Sequence, residues 1–358
     1  MPRRDWEDPE IQVRNRPSKK GSRPRTKQRP EHADAVIGLV TGVDRGRYTL
    51  LLEPDTPAER NAVAMKAREL GRERVVCGDL VEVVGDTSGA KDTLGRIVRI
   101  TPRKSVLRRT ADDTDPYERI IVANADQMVI VTALADPPPR TGMIDRCVVA
   151  AYTAGVDVLL CLTKADLADP QPLRDLYEPL GVKVVVTKMT SDKQIAPLEQ
   201  VQVALEGKVS VLVGHSGVGK STLVNSLIPN ANRATGLVND VTGRGRHTST
   251  SAVALELSSS FNNPDAARAG WVIDTPGVRS FGLAHVEPEM ILASFPELNE
   301  VAEEHCPRGC THATSAPDCA LDTWATDTTD PDEQATRAHR VSSLRRLLQA
   351  RGSNTWEQ

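Results

Sequence analysis

Gly214-His215-Ser216-Gly217-Val218-Gly219-Lys220-Ser221-Thr222 decides how this chain is read. It fits the phosphate-binding pattern G-x-x-x-x-G-K-[ST]. An apolar, β-prone run, residues 209–213, precedes it, and Leu223, Val224, Leu227 and Ile228 follow at helical spacing. The pattern therefore stands between a strand and a helix, the setting it requires. Glycines let backbone N–H groups curl around phosphate oxygens, and the helix N-terminus adds a favourable dipole. Lys220 would reach the β- and γ-phosphates, and the Ser221 hydroxyl would bind Mg²⁺.

Apolar strands alternate with helical stretches on both sides of this motif, at 128–134, 156–162, 182–186, 209–213 and 271–273. The alternation implies an α/β domain with a mostly parallel sheet covered on both faces, and such sheets bind nucleotides at the carboxyl ends of their strands. Asp274-Thr275-Pro276-Gly277 ends the last of these strands. Asp274 would orient Mg²⁺ through water, and the Gly277 N–H would face the γ-phosphate. Thr163-Lys164-Ala165-Asp166 ends another strand and is close to the N-K-x-D guanine-reading pattern. Asp166 would accept bonds from guanine N1–H and the N2 amine, donors that adenine lacks, and the Lys164 stem would lie across the base. In Gly243-Arg244-Gly245-Arg246-His247-Thr248-Ser249-Thr250, either Thr248 or Thr250 would coordinate Mg²⁺. His247 either assists the attacking water or faces RNA with Arg244 and Arg246. The guanine-like motif precedes the phosphate loop, the reverse of the ordinary GTPase order, so the domain reads as circularly permuted.

Cys306, Cys310, His312 and Cys319 offer three thiolates and one imidazole in a short span. That set fits one tetrahedral, structural Zn²⁺ with no open position. Cys147 and Cys161 lie in apolar surroundings and read as core; Cys77 is undetermined.

The chain has 358 residues and a formal net charge of −3, enough for several domains and no polycation overall. The charge is uneven: Arg3, Arg4, Arg14, Arg16, Lys19, Lys20, Arg23, Arg25, Lys27 and Arg29 crowd an arm almost free of apolar residues. Such an arm cannot bury a core and suits a nucleic-acid backbone. Short strands are expected at 35–42, 47–52, 74–77, 80–84 and 95–100, a small all-β barrel of the OB type, with only Tyr48 as an aromatic face. Arg103, Lys104, Arg108 and Arg109 read as a basic linker. Beyond residue 285 the pattern turns polar and helical. Residues 335–350 form an amphipathic helix whose Arg340, Arg345 and Arg346 are either solvated or RNA-facing. The start lacks a signal-peptide core, and no run reaches membrane-spanning length, so a cytoplasmic protein is expected.

From about residue 35 to 350, through the barrel, the ordered motifs and the cysteine cluster, the chain resembles the circularly permuted small-ribosomal-subunit biogenesis GTPases, the RsgA family. The resemblance implies an arm over 1–34, an OB-fold barrel over 35–102, a permuted GTPase domain over 103–284 and a zinc-binding helical domain over 285–358. It also implies GTP and GDP as ligands with Mg²⁺. The partner it implies is the small ribosomal subunit with its 16S rRNA, bound by a monomer whose GTP hydrolysis the subunit stimulates. Three departures stand out. Thr163 replaces the family's frequent Asn, which would soften packing there. Ser249 interrupts a run of threonines. The spacing of the metal ligands is shifted by one residue. A clamp in which nucleotide only sets shape, and a P-loop ATPase or kinase, are the rival readings.

Overall fold

The structure, a computed structural model, describes residues 32–110, 118–190, 194–228, 252–257, 270–275, 283 and 286–352. The basic arm up to residue 31, Gly243–Thr250 with His247, and Gly277 lie outside the described residues. The first five strands are β1 (Val36–Asp44), β2 (Arg47–Leu52), β3 (Arg60–Lys66), β4 (Leu80–Gly85) and β5 (Gly95–Ile100). They run β1-β2-β3-β5-β4, and β4 pairs back onto β1, so the sheet closes into an OB-type barrel. Val40, Leu50, Leu52, Val81, Val83 and Ile97 fill it.

The third strand is not the expected 74–77 but Arg60–Lys66. Its inward residues are Ala62 and Ala64, so it lacks the β-branched alternation that advertises a strand. In the 74–77 segment Val75 and Val76 are buried consecutively. A turn follows, in which Asp79 accepts the Val76 N–H at 2.8 Å. The expected basic linker is also structured: β6 (Val106–Thr110) pairs with β7 (Glu118–Ala123), and Arg103 grips the fully buried Asp79 at 2.6 Å.

This seam joins the barrel to the following domain without slack. A Cβ on Gly78 would lie 2.1 Å from the Ala123 carbonyl oxygen, and Gly78 has φ +87°; only glycine fits such an approach. The Asn124 side chain donates to the Gly78 carbonyl at 2.8 Å. A further strand, β14 (Val253–Glu256), meets β1 at Gly42↔Val253.

Through β14 the same run of strands continues as β10-β9-β8-β13-β15-β14, with β8 (Gln127–Ala133), β9 (Asp157–Thr163), β10 (Lys183–Val186), β13 (Val209–Val213) and β15 (Trp271–Asp274) parallel and β14 antiparallel. β8 is buried along its whole length, as expected when helices cover both faces. Met128 and Ile130 share one core with residues of α1 (Thr141–Thr153) and α2 (Gln171–Tyr177), while Val129 and Val131 share another with residues of α3 (Glu199–Leu205) and α4 (Lys220–Leu227). Two short strands, β11 (Lys188–Met189) and β12 (Ile195–Ala196), pair beside them.

Among the described residues four helices follow: α5 (Pro288–Leu292), α6 (Pro296–His305), α7 (Ala320–Thr326) and α8 (Pro331–Gly352). Asp332 and Glu333 in the first turn of α8 and Arg351 in its last complement the helix dipole. Val341, Leu344 and Leu347 are buried, as its spacing predicts. Its Arg340, Arg345 and Arg346 are part-buried and bonded within the protein. Arg340 stacks on Phe295 and donates to the Pro179 carbonyl, Arg345 holds Asp322, and Arg346 holds Asp145.

Candidate functional site

The carboxyl ends of β8, β9, β13 and β15 converge because these strands are parallel neighbours in one sheet. The phosphate loop leaves β13 and enters α4 through Gly219, whose φ of +96° lies in the left-handed region. Lys220 is therefore the first residue of the helix, and Ser221 and Thr222 lie in its first turn. At the loop's crest the His215 ring nitrogen Nδ1 lies 3.1 Å from the Ser216 carbonyl oxygen. Lys220 Nζ makes an ion pair of 2.5 Å with Asp274 at the end of β15. Thr275, the next residue, is buried and donates to the Leu212 carbonyl at 2.7 Å, fixing the strand end beside the phosphate loop.

The guanine-like loop touches the phosphate loop directly. Thr163 is buried, and its Oγ1 donates to the Val218 carbonyl at 2.6 Å. The expected softening at Thr163 is thus not what the geometry shows: a short hydroxyl bond ties the two motifs together. Asp166 accepts the Met189 N–H at 3.0 Å. Lys164 has φ +60° and donates from Nζ to the Asp136 carbonyl. Thr163, Lys164, Asp166, Gly214, His215, Ser216, Gly217, Val218, Gly219, Lys220, Ser221, Thr222 and Asp274 thus lie on loops that meet at one end of one sheet.

Two contributors escape the sequence reading. One is the Asp136–Pro137 segment after β8. It accepts Lys164 and brings Pro137 against Gly217, with 3.6 Å to a Cβ built there. Its prolines carry no site pattern of their own. The other is the segment after β10. Here the Thr187 carbonyl accepts the Ala165 N–H at 3.1 Å, and Met189 braces Asp166. No residue type there carries a chemical signature; only strand adjacency reveals it.

Cys306, Cys310, His312 and Cys319 form a second site, with all four ligand atoms within 4.8 Å of one another. His312 Nδ1 lies 3.7 Å from Cys306 Sγ and 3.8 Å from Cys319 Sγ. A tetrahedron with metal–sulfur bonds of about 2.3 Å and a metal–nitrogen bond of about 2.0 Å has edges of about 3.5–3.8 Å, so the set fits a four-coordinate metal. Burial pushes the Cys319 thiol up to about 11, so a thiolate there needs a cation beside it. Burial lowers the His312 pKa, favouring the neutral imidazole that a metal binds. The shifted ligand spacing leaves the set intact. Among the described residues no helix is long and apolar enough to cross a membrane.

The RsgA GTPase family profile matches residues 100–284. A curated relative from Alcanivorax borkumensis, the small ribosomal subunit biogenesis GTPase RsgA, is 32% identical over 330 residues, covering 89% of this chain and 88% of the relative. Its namesake from Pseudomonas syringae pv. tomato is 40% identical over 234 residues, 64% of each chain. Among solved structures, YjeQ from Thermotoga maritima superposes with a TM-score of 0.56 at 24% identity, over 87% of this chain and 98% of that one. YloQ, described as a circularly permuted GTPase, gives 0.57 at 22% identity, over 88% and 97%. Those two share the fold, and the sheet here has the same permuted sense, its guanine-like loop at the end of β9 coming before the phosphate loop at the end of β13. A profile covering over half of the chain and a relative aligned along nearly all of it agree with the geometry of the cleft: the chain belongs to the RsgA GTPase family.

Proposed function

We propose that this GTPase acts in the cytoplasm as a late maturation factor of the small ribosomal subunit, binding its 16S rRNA as a monomer and hydrolysing GTP when the subunit engages it. The observation that carries the reading is the Thr163–Val218 bond of 2.6 Å. It supports a single nucleotide spanning the Thr163–Asp166 loop and the phosphate loop.

In this reading Asp166, held by the Met189 N–H, accepts the two guanine donors, and the Lys164 stem covers the base while its ammonium stays on the Asp136 carbonyl. Backbone amides of Gly214–Thr222 wrap the phosphates, and Lys220 leaves Asp274 for the β- and γ-phosphates. Asp274 then serves Mg²⁺ through water, with Ser221 as a direct ligand and Thr248 or Thr250 as another. Gly277 offers its N–H to the γ-phosphate. Mg²⁺ supplies charge neutralisation across the β- and γ-oxygens. Val278 follows Gly277 where many GTPases carry a polar water-positioning residue, so the free protein hydrolyses slowly. His247 is the candidate for assisting the attacking water. Zn²⁺ is the metal of the Cys₃His site, where its role is structural. The proposed domain limits are those of the sequence reading, with the basic arm and barrel facing rRNA.

The test is the GTPase rate with and without purified small subunits. A rise of at least tenfold is expected at saturating subunit; an unchanged rate overturns the activation.

A further inference from the structure

Neighbouring arginines on α8 point to two different sites. Arg345 Nε donates to the carbonyl of His312 at 3.0 Å, and its two terminal nitrogens hold Asp322 at 2.7 and 2.9 Å. Its bond therefore ends on the backbone of a metal-site residue that sits in the left-handed region, φ +54°. Arg346 turns to the GTPase domain. Its Nε lies 3.1 Å from both oxygens of Asp145, another of its nitrogens donates to the Leu176 carbonyl at 3.2 Å, and its guanidinium stacks 5.1 Å from the Tyr177 ring centre.

Asp145 and Tyr177 belong to α1 and α2, and both are buried, at 4% and 0% exposure. The Tyr177 hydroxyl donates to the Thr141 carbonyl at 3.2 Å, closing the cluster over the start of α1. These are the helices that issue from the base-side loops: α1 follows the Asp136–Pro137 segment that braces Lys164, and α2 follows the loop of Asp166. Burial pushes both the Asp145 carboxyl and the Tyr177 hydroxyl above their ordinary pKa values. A charged carboxylate so placed cannot lose its arginine without a large penalty, so Arg346 ties α8 to both α1 and α2. Arg340 adds a parallel tie, donating to the Pro179 carbonyl just after α2 at 2.6 Å.

We propose that Arg345 and Arg346 couple the Cys306–Cys310–His312–Cys319 metal loop to the guanine side of the nucleotide cleft, so that nucleotide occupancy and metal retention reinforce each other. The inference rests on the nucleotide and zinc readings above. Arg346 is a positioning residue: it acts through α1 and α2 and touches no ligand. Coupling between two binding equilibria is reciprocal, so it can be read from either side.

The experiment follows transfer of zinc from the purified, zinc-loaded full chain to a chromophoric chelator, with and without saturating GDP. GDP is expected to slow transfer by about fivefold, the lower end of ordinary allosteric couplings. In Arg346→Met the ratio of the two rates should fall towards one, with the Arg340 tie left in place, and Arg346→Lys should recover part of the loss. A merely structural arginine would raise both rates alike and leave the ratio intact, and that result overturns the proposal. So does a wild-type ratio of one in protein that binds fluorescent mant-GDP saturably. Absence of mant-GDP binding, or of zinc in the purified protein, would instead remove the site readings and the coupling with them. Should Arg346→Met fail to fold, Arg345→Met leaves Asp145 satisfied and must lower the ratio in the same way; an unchanged ratio there also overturns the proposal.

Discussion

Thr163 shows how a departure from a motif can preserve its mechanics. An asparagine there would reach the phosphate loop with an amide; the shorter threonine reaches the Val218 carbonyl with a hydroxyl at 2.6 Å. Thr163→Val keeps the shape and deletes the donor, leaving a buried carbonyl unsatisfied at about 1–2 kcal/mol. Titration with mant-GDP should show affinity reduced about tenfold with little change in fold. Asp166→Asn replaces an acceptor by an amide whose donor faces a donor on guanine. A base-specific site rejects such mismatches by about 10⁴. GTP turnover should fall accordingly and recover with xanthosine triphosphate, whose C2 carbonyl accepts from the new amide. On the proposed reading, Lys220→Ala removes a cation that meets the triphosphate and should lower subunit-stimulated turnover by about 10²–10³.

At the scale of elements, thiols report on the packing. Burial pushes Cys77, Cys147 and Cys161 from 9.0 up to about 12, so at pH 8 only about one in 10⁴ is thiolate. A thiol reagent should leave these three unmodified in native protein, while chelation opens Cys306, Cys310 and Cys319 to it. The folded state holds those three buried protons more tightly than the unfolded chain. Their contribution to stability is complete below about pH 9 and is lost as pH rises towards 12. Thermal melts should therefore show a falling midpoint above pH 9. Elements with strong periodicity were legible from the residues: the parallel strands, α4, α8 and the metal-ligand set. The barrel was legible in number but not in register, because Ala62 and Ala64 disguise β3 and the paired valines of 74–77 imitate a strand. Base-side supports at Asp136 and Met189 were illegible because they act through backbone atoms, which any residue supplies. The arginines of α8 misled for a different reason: a basic helical face looks the same in sequence whether water, RNA or the protein's own carboxylates and carbonyls lie opposite.

Across the whole molecule, barrel and GTPase sheet share one run of strands through β1 and β14, and the Arg103–Asp79 pair and the Gly78–Ala123 approach lock them side by side. A single calorimetric transition is expected for the two together. Gly78→Ala forces a methyl group into a carbonyl oxygen and should cost about 3 kcal/mol, splitting the melt into two peaks. A seam so tight that only a hydrogen atom fits between the halves gives the molecule the behaviour of a caliper. A partner docked on the barrel would be held at one set distance from the phosphate loop, so its own shape would decide whether it fits.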